Sequence, residues 1–128
     1  AKKKRIRIAI VGSDSVTSTQ ALDSAEYLLP KLLKKYDITR IVTVKEDLLG
    51  RAFRKVAKRL ELDIKTFSAA DHGDQSTALE LATASLLWEA KRFIVVVGSG
   101  KIKGCAYHAM QMLDRHKNKK VKILELED

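Results

Sequence analysis

The chain has 128 residues, 45% hydrophobic and 32% charged, which fits a single domain over residues 1–128 with a buried core and excludes a disordered chain. One cysteine excludes a disulfide framework and a multi-cysteine zinc site, and three histidines without regular spacing predict no metal site. Twenty-five basic against sixteen acidic side chains give a net charge of +9, which favours phosphate-bearing partners.

The beginning of the chain is basic and then apolar, which raises the question of a signal peptide. The apolar part is short, contains Arg7 and runs into a Gly-Ser turn, so a first strand is the better interpretation. The longest apolar runs are also too short to cross a bilayer, which needs about 20 residues. Together with the free cysteine, this leads us to expect a cytoplasmic protein with no membrane partner.

The first helix has a clear start and an internal irregularity. Thr17 and Gln20 have the spacing of a capping box, and apolar residues then recur at helical spacing. Pro30 lies inside this stripe, which predicts a kink or a break near Leu29. Thr77 and Glu80 form a second possible capping box before a later helix.

Strand and helix periodicities alternate along the whole chain. Strands are predicted at residues 5–11, 40–44, 63–67, 93–97 and 121–126, and helices begin near residues 17, 48, 77 and 106. This alternation is typical of βαβ units and a parallel sheet. We therefore predict one three-layer, Rossmann-like α/β domain with a five-stranded parallel sheet in the order 3-2-1-4-5 and about four helices.

Two glycine-containing turns should lie at the carboxyl ends of the first and fourth strands, where ligands bind in open parallel sheets. Free backbone N–H groups there favour phosphate, and lysines in the second turn add charge. The second turn, GSGKIKG, matches neither a Walker A loop nor a dinucleotide fingerprint. Simple turn glycines are the alternative interpretation. The candidate ligand-binding residues are Gly12, Ser13, Asp14, Ser15, Gly98, Ser99, Gly100, Lys101, Lys103, Gly104 and Cys105.

The segments RIAIVGSDSVT, YDITRIVT, LDIKTFSAAD and FIVVVGSGKIKGCAYHAM resemble the SLOG superfamily. This superfamily contains the DNA-processing Smf/DprA proteins and the LOG phosphoribohydrolases, and the chain looks most like its compact YspA-type branch. The resemblance spans roughly residues 5–126. It implies a nucleotide or phosphosugar pocket lined by both turns, possible contact with nucleic acid, and self-association as a dimer.

The ligand motifs of that superfamily are degenerate here. Asp14 stands where the family commonly has Arg, Cys105 replaces a Thr, and His108 falls where LOG enzymes carry their catalytic Glu. The expectation is therefore a binding protein with a possible bound nucleotide and no strong catalytic machinery. A phosphoribohydrolase is a further alternative, with Asp14, Cys105 and His108 as its catalytic candidates. Cys105 is either a thiol with a lowered pKa at a helix start or a small buried residue.

A nucleic-acid-binding protein is the main alternative function. Five basic residues lie on the predicted second helix: Arg51, Arg54, Lys55, Lys58 and Arg59. They either contact phosphates or form an ordinary solvated helix face. Aromatic residues make up only 5% of the chain, which argues against a platform that stacks bases.

The third predicted helix carries two apolar residues outside its main stripe. Leu81 and Trp88 lie seven residues apart, and exposed apolar residues at that spacing can form a dimer seam. The alternatives are that this helix is buried more broadly or that Trp88 covers an edge of the core.

Overall fold

The computed structural model describes residues 3–73, 77–90, 92–98, 100–115 and 119–126. All five of its strands are parallel, in the order β3-β2-β1-β4-β5. The strands are β1 (Lys4–Gly12), β2 (Tyr36–Val44), β3 (Ile64–Phe67), β4 (Arg92–Val97) and β5 (Lys120–Glu125). The helices are α1 (Ser18–Lys35), α2 (Leu48–Arg59), α3 (Ala78–Glu89) and α4 (Cys105–Leu113), with a 3₁₀ turn at Ala69–His72. The predicted fold class and strand order are confirmed.

Two apolar cores cover the two faces of the sheet. Successive side chains of a strand point to opposite faces, so Ile8 and Ile10 join the core under α1 and α2, whereas Ala9 and Val11 join the core under α3 and α4. β1 is therefore buried on both faces, which is why its sequence becomes continuously apolar. This arrangement gives the three layers that the sequence predicted.

Helix α1 begins at the predicted capping box. Thr17 Oγ1 accepts a hydrogen bond from Gln20 N at 3.1 Å, and Thr17 N donates to Gln20 Oε1 at 2.9 Å. Of the two outcomes predicted near Leu29, a kink or a break, the break is wrong, because α1 continues through Pro30 to Lys35. Pro30 is exposed, while the buried Leu29 and the neighbouring leucines hold the helix against the sheet on both sides of it.

Other boundaries also differ from the prediction. β2 begins at Tyr36, directly after α1, because its first residues pair with the beginning of β1. Thr77 is the N-cap residue of α3, but its side chain makes no capping hydrogen bond, so the second capping box is wrong. The backbone of Thr77 has φ −94° and ψ 2°, unlike the extended N-cap conformation at Thr17.

The capping box at α1 predicts a measurable loss of stability. Thr17→Ala should lower the free energy of unfolding by about 1 kcal/mol, because the Gln20 amide loses its acceptor. Thr19→Ala changes an exposed threonine two residues further on and is the matched control. It should leave the free energy of unfolding unchanged or raise it slightly. Urea denaturation of both variants checks this; equal unfolding free energies would contradict it.

Candidate functional site

The first and fourth βα turns meet at the carboxyl edge of the sheet. Ser13 Oγ accepts a hydrogen bond from Lys103 N at 3.0 Å, and Asp14 N donates to Lys103 O at 3.3 Å. Gly98 N donates to Ser15 Oγ at 3.2 Å. Because β1 and β4 are neighbours, two segments about ninety residues apart form one continuous structure here.

The amides of the first turn donate to the protein itself. Gly12 N donates to Asp47 Oδ2 at 3.0 Å, and Ser13 N donates to Val96 O at 2.9 Å. Ser15 N donates to Ser13 Oγ at 3.3 Å. With Asp14 N bonded to the second turn, residues 12–15 have no unbonded N–H group. These amides therefore have acceptors within the protein, and their binding of a phosphate stays a prediction that no free N–H group of residues 12–15 supports.

Glycines at this edge permit close approach between backbone segments. A Cβ atom on Gly98 would lie 2.5 Å from the carbonyl oxygen of Ser15, and one on Gly104 would collide with the Asp14 carboxylate. Asp14 thus places a negative charge beside the residue that precedes α4, where an incoming anion would be repelled. For Gly98 and Gly104, the interpretation as tightly packed turn residues fits the geometry.

The remaining candidates lie in the second turn. Lys101, Lys103 and Gly100 are exposed, and neither lysine forms an ion pair within the part of the chain that the structure describes. Ser99 lies outside the described residues. Two exposed lysines, Lys101 and Lys103, are therefore accessible to a ligand at this edge.

Asp47 is a residue at this edge that the sequence reasoning missed. It is 6% exposed, it is the N-cap residue of α2, and its Oδ2 atom accepts from both Gly12 N and Gly50 N. Burial, with a smaller contribution from the Asp14 charge, raises the pKa of Asp47 to about 7, although these two hydrogen bonds and the charge of Arg54 oppose the shift. An Asp directly before a helical stripe is the signal that could have identified it.

Cys105 is buried at the start of α4 and is not an activated thiol. Burial raises its pKa to about 12, and the nearby Asp47 charge adds to the effect, whereas a hydrogen bond with Thr83 lowers it. The thiol therefore stays protonated at neutral pH, and the hypothesis of a lowered pKa is wrong. His108 is half-buried and its ring makes an edge contact with Tyr107, with centroids 5.7 Å apart.

The five basic residues of α2 separate into two groups. Arg54 bends back to donate to Thr43 Oγ1 at 2.7 Å and to the Val44 carbonyl at 3.1 Å, so it stabilises the end of β2. Arg59 donates to Glu26 of α1 at 3.0 Å. The other three are exposed, make no ion pair among the described residues and share one stripe of the helix: Arg51, Lys55 and Lys58.

The predicted dimer residues of α3 are both on the surface. Trp88 is 81% exposed and Leu81 is 41% exposed, so the alternative of a broadly buried helix is wrong for these two positions. Ala84 and Ser85 lie between them on the same stripe and are half-buried. The stripe has a large apolar residue at each end and two small residues at its centre.

No protein-family model, curated protein or solved structure matches this chain, so the resemblance to the SLOG superfamily stays a prediction. Among the described residues, no group of three or more His, Cys, Asp or Glu side chains could hold a metal ion. In the same residues no helix combines the length and apolarity that a membrane span requires.

The raised pKa of Asp47 predicts a pH dependence of stability. Its folded pKa of about 7 exceeds the ordinary value of 3.8, so its contribution is fully present below about pH 3.8 and is lost as pH rises through about 7. Asp47→Asn removes this titration. Between about pH 4 and 7, the wild type should lose unfolding free energy relative to the variant, by at most about 1.4 kcal/mol per pH unit.

Urea denaturation across that pH range measures the difference. Asp71→Asn, which removes an exposed carboxyl group, is the control and should keep the wild-type slope. Parallel stability curves for the wild type and Asp47→Asn would show that Asp47 does not titrate in this range.

Proposed function

We propose that this protein binds nucleic acid through contacts with the phosphate backbone. The observation that carries the proposal is the stripe on α2 where Arg51, Lys55 and Lys58 are exposed and make no ion pair with any described acidic residue. Their spacing of four and then three residues points three positive charges in one direction. The net charge of +9 also favours the approach of negatively charged phosphates to the protein as a whole.

The proposal concerns phosphate contacts and not the reading of bases. Arg54 and Arg59, two of the five basic residues of α2, are held by hydrogen bonds within the protein. The three exposed cations can attract the phosphates of a nucleic acid of any sequence. Such binding releases counterions from the nucleic acid, so its affinity falls steeply as the salt concentration rises.

Affinity measured against salt concentration tests the proposal. Lys58→Glu should weaken binding of a labelled oligonucleotide at low salt about fivefold or more and lower the salt slope by about one. Lys65→Glu, at an exposed lysine of the edge strand β3, makes the same change in net charge and is the matched control. Affinity that does not change with salt, or an equal loss of affinity in both variants, would refute the proposal that the α2 stripe binds nucleic acid.

A nucleotide at the second turn is the alternative function. Its support is that the two turns meet and that Lys101 and Lys103 are exposed beside α4. A ligand that binds only the folded state raises the melting temperature, so a panel of nucleoside mono- and diphosphates distinguishes the alternatives. A shift that Lys103→Glu abolishes and Lys58→Glu retains would favour the nucleotide over nucleic acid.

We further propose that the chain forms a dimer through α3. In an antiparallel contact around a two-fold axis, Trp88 packs on Leu81 of the second copy, and Ala84 and Ser85 meet at the centre. Large side chains at both ends and small ones at the crossing allow two identical helices to approach closely. The exposure of Trp88 and Leu81 supports this arrangement.

Sedimentation equilibrium tests the dimer. Leu81→Ser should weaken self-association about tenfold, equivalent to about 1.4 kcal/mol, because it removes apolar surface from both ends of the contact. Leu60→Ser changes a leucine of similar exposure, 43% against 41%, at the end of α2 and should have no effect. A wild-type protein that is monomeric at all concentrations would refute the proposal.

A further inference from the structure

A groove opens on the α1 side of the sheet, between α1 and the edge strand β5. Its volume is about 430 Å³, within the range of sites that hold one small-molecule unit. Leu32 of α1 and Ile94 of β4 contribute apolar atoms to the floor, and four basic residues line it: Lys35, Arg92, Lys120 and Lys122. Arg92 pairs with Lys120 in the sheet register and Ile94 with Lys122, which places both lysines beside the floor.

Aromatic rings position these charges. The Arg92 guanidinium lies 4.8 Å from the centre of the Tyr36 ring, and Lys35 Nζ lies 5.3 Å from the same centre. Earlier in α1, and outside the residues that line the groove, Lys31 Nζ lies 4.3 Å from the centre of the Tyr27 ring and donates to its hydroxyl. The pKa of Tyr27 is lowered by that hydrogen bond and, more weakly, by the charge of Lys122.

No carboxylate of the described residues lines this groove, whereas three other basic concavities are lined by Asp63, Asp37 or Glu89. At the amino edge near β2, Arg40 is neutralised by Asp63 at 2.8 Å and Glu89 at 2.9 Å. None of the four basic residues of the groove makes an ion pair with a described acidic residue. The groove is therefore complementary to a partner that supplies the missing negative charge.

We infer that the groove between α1 and β5 binds one nucleotide unit of a single-stranded nucleic acid. The inference rests on the proposed function and names the form of nucleic acid and a second contact surface. The cations meet the phosphate, and the base lies over the floor of the groove, whose lining includes the half-buried Tyr36 and the exposed Val121. A duplex keeps its bases inside and is too wide to enter this volume, so it would leave the floor in contact with water.

Fluorescence anisotropy at low salt tests the inference with a labelled oligodeoxythymidine and a blunt duplex of equal length. Lys122→Glu should weaken binding of the single strand about tenfold and leave binding of the duplex within about twofold. Lys65→Glu, an exposed lysine on the opposite edge strand, is the matched control and should change neither by more than about twofold. Free thymidine monophosphate should compete for the groove in the wild type only.

The outcomes separate the two proposals. Wild-type protein that binds neither probe refutes the proposed function and this inference together. Single-strand binding that Lys58→Glu weakens and Lys122→Glu does not refutes the groove alone. Equal losses for strand and duplex in Lys122→Glu show that the lysine acts only through long-range charge, and they also overturn the inference. Lys122 is exposed and makes no hydrogen bond within the described residues, so unchanged unfolding curves will show that the variant folds.

Discussion

One buried hydroxyl oxygen, Oγ of Ser13, holds the carboxyl edge of this sheet together. It accepts from Ser15 N, from the Ser15 hydroxyl at 2.9 Å and from Lys103 N, so a single atom joins the first and fourth βα turns. Buried N–H groups need acceptors, and in open parallel sheets a bound phosphate often supplies them at this edge. In this protein Ser13 and Asp47 supply them instead.

Closure of that edge changes where an anion can bind. The Asp14 carboxylate lies against Gly104, and the buried Asp47 lies at the neighbouring strand end, so two acidic groups stand at the edge where open parallel sheets generally bind ligands. Besides Lys101 and Lys103 at this edge, basic side chains without described acidic partners lie on the exposed stripe of α2 and along the groove beside β5. The fold therefore positions basic side chains on helix and strand surfaces, while its usual ligand edge is occupied by its own side chains.

Periodicity was sufficient to predict the fold but not the site. Apolar alternation depends only on which face of a strand or helix is covered, so the order of elements and the parallel sheet follow from the sequence. Hydrogen-bond partners depend on side-chain direction, which sequence spacing does not determine. Arg54 and Lys55 are neighbours of similar chemistry, yet one bends back to Thr43 and the other faces solvent. The sequence likewise places Cys105 near the positive charges of Lys101 and Lys103, which would lower the pKa of its thiol. Burial instead raises that pKa.

The groove has its origin in two features of chain geometry. α1 ends and β2 begins without a loop, so Lys35 and Tyr36 are held at the junction between a helix and a central part of the sheet. β5 is an edge strand, and lysines on an edge also prevent pairing with other strands. Lys120 and Lys122 alone would therefore be explained by edge protection. Arg92 is not on the edge strand, and its stacking on Tyr36 toward the same groove has no such explanation. That arrangement favours a binding surface over a protective one.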